Sequence, residues 1–149
     1  MKIFVDTGAW IALADKNDQY YNSAIRLYDM IQKKKVQLII TDYIFDETVT
    51  WLNYKIGHNV ACKWGNKIIN SRMIEMIIVS DEHIKRAWKL FQKYRDQKFS
   101  FTDCISFEIM KILGTKAVFA YDSHFSTMGF SVINEDLLSS TEKNKEKAG

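Results

Sequence analysis

The sequence contains no proline, which excludes cis-proline chemistry. Its two cysteines, Cys62 and Cys104, have no metal-ligand spacing and are too few for a disulfide framework in a chain of 149 residues. Both read as reduced core residues on helices. Every apolar run falls far short of the roughly 20 residues that cross a bilayer, and the first residues open directly into a strand pattern. Neither a membrane span nor a signal peptide is expected, and the reading is of a cytoplasmic protein. Internal repeats and interdomain linkers are also missing. Charge is nearly balanced, with 21 basic and 18 acidic residues, a net charge of +3 and a pI of about 8.8. That excess permits a polyanionic partner without requiring one. The basic clusters (Lys33, Lys34 and Lys35; Lys93, Arg95 and Lys98; Lys143, Lys145 and Lys147) each read first as solvated ends, loops or tail.

What is present is a core: 47% hydrophobic and 13% aromatic residues suffice for one globular domain. Short apolar strands at residues 2–5, 36–40, 74–79, 117–121 and 130–133 alternate with amphipathic helices. Helical faces are expected from Tyr21, Ala24, Ile25, Tyr28 and Ile31; from Phe45, Val49, Leu52 and Ile56; from Val60, Ala61, Trp64 and Ile68; and from Ile84, Ala87, Trp88 and Phe91. The alternation predicts an α/β sandwich with a mainly parallel sheet and right-handed crossovers. Residues 1–134 carry it, and residues 135–149 lose periodicity and read as a charged, flexible tail.

The stretch 100–125 organises the chain. Ser100 stands three residues before Asp103 as a capping-box start, and Gly114 closes the helix. Asp103 shares a face with Ser106, Phe107 and Met110, whereas Glu108 and Lys111 lie on another. The strand at 117–121 then delivers Asp122, as the first strand delivers Asp6. In open α/β sheets ligands bind beyond the carboxyl ends of the strands, so both aspartates and the first turn of the Asp103 helix are placed at one crevice. Glu47, in the second turn of the helix after the second strand, lies close to the same address. Its neighbour Asp46 diverges from it on the helix. Asp15, Asp18 and Asp42 read as turn and cap residues.

Singly, each of the four candidates has a bland reading as a cap, turn or exposed helix residue. Together they repel: two carboxylates about 4 Å apart cost on the order of 4 kcal/mol at an effective dielectric near 20, so a cluster protonates or holds cations. Oxygen-only ligands suit Mg²⁺ or Mn²⁺ rather than zinc. Metal-dependent phosphodiester hydrolysis is the chemistry such a set serves.

These residues resemble the PIN-domain nucleases, especially the compact VapC-type toxins of toxin–antitoxin pairs. The resemblance rests on Val5-Asp6-Thr7 with Ile11-Ala12-Leu13, on Thr41 with Asp46-Glu47-Thr48-Val49, on Thr102-Asp103, and on Tyr121-Asp122-Ser123-His124-Phe125 before Gly129-Phe130. It implies a PIN-like three-layer sandwich and a catalytic, metal-binding quartet of Asp6, Glu47, Asp103 and Asp122 using Mg²⁺ or Mn²⁺ to cut RNA. It also implies a cognate antitoxin and a homodimer. One departure stands out: many relatives have Thr or Ser where this chain has Ala120, so a hydroxyl would have to come from Thr7 or Ser123.

RNA at such a pocket needs rim cations and stacking aromatics, for which Arg95, Lys98, Lys111, Tyr20, Tyr21 and Trp10 are candidates, with Thr7 and Ser123 as polar contacts. His124 reads as a packing and hydrogen-bonding residue ahead of a general acid. The competing functions are an RNA-processing PIN nuclease without an antitoxin, an inert RNA-binding scaffold, and a signalling receiver domain. The last lacks the lysine it needs at the end of strand 117–121.

Overall fold

A computed structural model describes residues 1–148, with side chains at all of these except 141–146 and 148; Gly149 and the side chains of Lys143 and Lys145 lie outside the described residues. Five strands, β1 (Lys2–Val5), β2 (Gln37–Thr41), β3 (Ile74–Ile77), β4 (Ala117–Phe119) and β5 (Ser131–Val132), form one sheet in the order β3-β2-β1-β4-β5. Every pairing is parallel, with Phe4 opposite Ile39 on one side and Val118 on the other. A parallel sheet is covered on both faces, which is why Ile3, Phe4 and Val5 run consecutively apolar and are all fully buried.

The helices are α1 (Thr7–Ala14), α2 (Tyr21–Lys33), α3 (Asp42–Lys55), α4 (His58–Asn70), α5 (Asp81–Lys93), α6 (Phe101–Leu113), the single turn α7 (His124–Thr127) and α8 (Glu135–Ala148). Local chemistry sets their ends. Thr41 Oγ1 accepts from the Ile44 amide at 3.1 Å to start α3, and Gly114 stops α6 in the left-handed region at φ 67°. Ser80 starts α5 through a box closed by the His83 ring, since the Ser80 amide donates to His83 Nδ1 at 3.0 Å.

Several expected core faces are corrected. On α3 the buried line is Ile44, Thr48 and Leu52; Phe45 and Val49 pack at its flank against α4, and Ile56 is exposed. The cause is α4, whose Trp64 ring lies 5.4 Å from Phe45 and rotates the covered face away from Ile56. On α2, Leu27 is buried and Ile25 is exposed. On α5 only Ala87 is fully buried, because the helix packs on α6 along one edge and leaves Trp88 and Phe91 at the surface. Helix α6 is buried from Asp103 through Met110, Glu108 included, so the expected second face exists only from Lys111 onward. Cys104 is buried and its thiol is pushed up to about 11 by burial, but Cys62 is exposed on α4, not in the core. The segment after residue 134 is helical: Leu138 is fully buried against the core, and Arg26 on α2 meets Glu135 at 2.7 Å.

Candidate active site

Asp6 and Asp122 follow neighbouring strands at the point where the sheet's order turns back, between β1 and β4. The Asp6 amide donates to the Phe119 carbonyl at 3.0 Å, extending the β1–β4 ladder by one rung before α1 begins. Its carboxyl is buried, and its pKa is held well above the ordinary value. Desolvation is the largest cause; the negative charges of Asp122 and Asp103 and, more weakly, Glu47 add to it, with the Thr7 amide opposing. The other three carboxylates therefore all act on Asp6.

Asp103 is fixed by its own helix start. Ser100 Oγ accepts from the Asp103 amide at 2.9 Å, and the Ser100 amide donates to Asp103 Oδ2 at 3.0 Å. The same Oδ2 accepts from His124 Nδ1 at 2.8 Å; among the described residues Oδ1 has no hydrogen bond. Asp122 is more open and accepts the His124 amide at 2.9 Å, which makes the turn into α7.

Asp6, Thr7, Glu47, Lys98, Asp103, Asp122 and His124 line one open cleft of about 550 Å³. Asp46 lies in the adjoining groove with Tyr43 and Tyr54 and does not line the acidic cleft. Of the other expected contacts, Lys111 is placed elsewhere: it stands in the last turn of α6, eight residues and about 12 Å along the axis from Asp103. Arg95 and Ser123 flank the cleft in sequence without lining it. Trp10 is a core residue, 5.8 Å from Trp64, so it cannot stack on a base. Tyr20 does line the cleft, stacked on Tyr121 with centroids 4.3 Å apart. Tyr121 and Trp51 are lining residues that periodicity alone assigns to packing. Their only sequence signal is position, one residue before Asp122 and four after Glu47.

The donor set fits a hard divalent cation. Besides the carboxylates, Thr7 Oγ1 is buried in the cleft wall with no hydrogen-bond partner among the described residues, at the position next to Asp6. Ala120 is buried and offers no hydroxyl, which leaves Thr7 as the hydroxyl beside the cluster.

A family profile described as the PIN domain matches residues 3–131. The chain belongs to the PIN-domain family. PIN nucleases are metal-dependent, and this PIN domain is similar to VapC proteins of two organisms. It is 30% identical over 128 residues to the 23S rRNA-specific endonuclease VapC20 of Mycobacterium tuberculosis, covering 86% of this chain and 95% of the relative. It is 28% identical to a VapC ribonuclease of Archaeoglobus fulgidus, covering 99% of this chain and 92% of the relative. The crystal structure of M. tuberculosis VapC20, described as a sarcin-ricin loop cleaving toxin, superposes with a TM-score of 0.82 at 29% identity, covering 89% of this chain and 98% of that one. Among the described residues of this PIN domain no helix is long and apolar enough to cross a membrane.

Proposed function

We propose that this PIN domain is a divalent-metal-dependent endoribonuclease, the toxin of a toxin–antitoxin pair, acting in the cytoplasm as a homodimer. Asp6, Glu47, Asp103 and Asp122 hold Mg²⁺ or Mn²⁺ and carry the reaction. One observation supports this above the rest: a buried carboxyl, Asp6, sits in the field of three others, an arrangement that costs stability and makes sense where a cation is bound.

A bound cation supplies water acidified for attack on phosphorus and positive charge against the leaving oxygen. The chain's own groups supply the rest. Asp6 is fixed by the β1–β4 ladder and Asp103 by its capping box, so neither has to reorganise when substrate arrives. Lys98 on the rim offers a charge to a neighbouring phosphate, and the Tyr20–Tyr121 pair offers a ring face to an unstacked base. Thr7 lies within the cleft to contact the cation or the scissile phosphate.

Labelled stem-loop RNA, including a sarcin-ricin loop, incubated with Mn²⁺ or Mg²⁺ is expected to be cut at a defined position. EDTA abolishes cleavage, and Asp6→Asn lowers it at least about a hundredfold, the scale of removing one preorganised group from a reaction centre. Cleavage surviving in both controls rejects the carboxylate–metal assignment.

A further inference from the structure

The cleft contains one nitrogen donor that an all-carboxylate site does not need. His124 Nδ1 lies 2.8 Å from Asp103 Oδ2 and 3.9 Å from Asp122 Oδ1, and one ligand atom from each of these residues falls within 4.8 Å of the other two. Ligand atoms around one six-coordinate ion with bonds of about 2.1 Å stand roughly 3 Å apart when adjacent and about 4.3 Å apart when opposite. The three donors are close enough together to reach one ion. The imidazole is also fixed: its ring packs edge-on against buried Phe99 at 5.2 Å, and the next residue, Phe125, is fully buried against Phe107 at 5.1 Å. An independent observation points at a ligand in the same cleft, the buried Thr7 Oγ1, which has no hydrogen-bond partner among the described residues.

We propose that His124 is a direct nitrogen ligand of the metal and makes this site select Mn²⁺ over Mg²⁺. The inference rests on the metal-dependent site proposed above and adds to it the identity of the ion. Mg²⁺ takes oxygen ligands and keeps its waters, so an imidazole adds little to its binding. Mn²⁺ shares the preference of Mg²⁺ for oxygen and stands lowest in the first-row series at nitrogen sites. As a transition ion it still gains from one imidazole where Mg²⁺ does not, so the ring adds affinity for Mn²⁺. Without an ion, Nδ1 faces Asp103 Oδ2 as a hydrogen-bond partner; as a ligand it would present its lone pair to the ion beside that oxygen, with Nε2 as the ring's N–H. His124 is thereby distinguished from a residue that only orients Asp103 from behind, which would affect all cations alike.

The test uses the full chain and the ions alone. Mn²⁺ binding is followed by electron paramagnetic resonance, with Mg²⁺ as competitor, and pulsed measurements read the ¹⁴N coupling of a directly bound imidazole. Wild-type protein is expected to show that coupling, and His124→Asn to lose it. In the variant Mn²⁺ binding weakens about tenfold while the Mg²⁺ competition constant moves less than about twofold. Stoichiometric Mn²⁺ binding by the wild type without ¹⁴N coupling overturns the proposal and leaves the carboxylate site standing, as does an equal loss of both ions in His124→Asn. Absence of any Mn²⁺ binding that Asp6→Asn abolishes overturns the carboxylate site as well.

Discussion

Asp6 and Asp122 are delivered by adjacent parallel strands to one cleft, yet the chain treats them differently. After β1 the backbone enters α1 at once, so Asp6 is buried under Thr7 and the sheet edge. After β4 it makes an open turn through residues 120–123 before α7, and the Asp122 carboxylate remains 40% exposed. Water screens the exposed member and not the buried one. Asp6 thus carries the electrostatic strain of the cluster, and Asp122 is the member that can adjust to an arriving ion or phosphate.

Removing each charge in turn breaks this comparison most sharply. Asp6 has a folded pKa raised above its unfolded value of about 3.9, so its favourable contribution is fully present below that pH and is lost as pH rises through the folded pKa. Metal-free wild type is expected to melt at progressively lower temperature across that window, and Asp6→Asn to flatten the decline and melt higher at pH 7. For a chain of this size each kcal/mol recovered appears as about 2–4 °C. Asp122→Asn removes the largest neighbouring charge on Asp6 but not its desolvation, so it is expected to flatten the metal-free decline less than Asp6→Asn does. Mn²⁺ raises the melting temperature of the wild type and reverses the sign of its pH slope. Calorimetry across pH 4–8 checks all of this, and equal effects of the two substitutions would contradict the buried-against-open distinction.

A second contrast lies within α6. Its first turn is tied by Ser100 on one side and His124 on the other, whereas its last turn ends in solvent at Gly114. Ser100→Ala removes the acceptor of the Asp103 amide and is expected to cost about 1 kcal/mol of stability. Because the same box aims a carboxylate proposed to be catalytic, cleavage at a temperature where the variant is fully folded should fall further than stability accounts for. A loss of stability alone would mean the cap serves only the helix.

Much of this was legible in the residues because it is local. Strand β1, the Ser100–Asp103 box and the Gly114 stop are written in consecutive positions, and the order of strands and helices follows from them. That the four carboxylates share one cleft was legible through topology for Asp6 and Asp122, which follow neighbouring parallel strands, and through helix starts for Asp103 and Glu47. The misread parts depend on what covers a helix. Trp88 and Phe91 have core periodicity, but α6 meets them only through Phe101 at its first turn and leaves both rings exposed; Ile56 belongs to a stripe that α4 shifts toward Ile44. Glu108 is buried because α6 is enclosed on all sides, which no pattern within its own sequence reveals. The tail reads as solvated because its charges outnumber its apolar residues, yet buried Leu138 and the Arg26–Glu135 pair dock its first turn.

The rim makes the smallest difference and the finest test. Lys98 and Lys111 are both exposed lysines bracketing α6, and sequence gives no reason to separate them. Only Lys98 lines the acidic cleft. There it stands where a phosphate entering the negative field of Asp103 and Asp122 needs a counter-charge, while Lys111 faces solvent two turns away. Lys98→Ala is therefore expected to raise KM for RNA severalfold with little change in kcat, and to reduce the salt dependence of binding by about 0.7 in log–log slope, one phosphate contact on a single strand. Lys111→Ala should leave both unchanged. An equal loss from the two would mean that RNA is gathered by net charge rather than by the rim, because a diffuse field does not distinguish one exposed lysine from another, whereas a contact does.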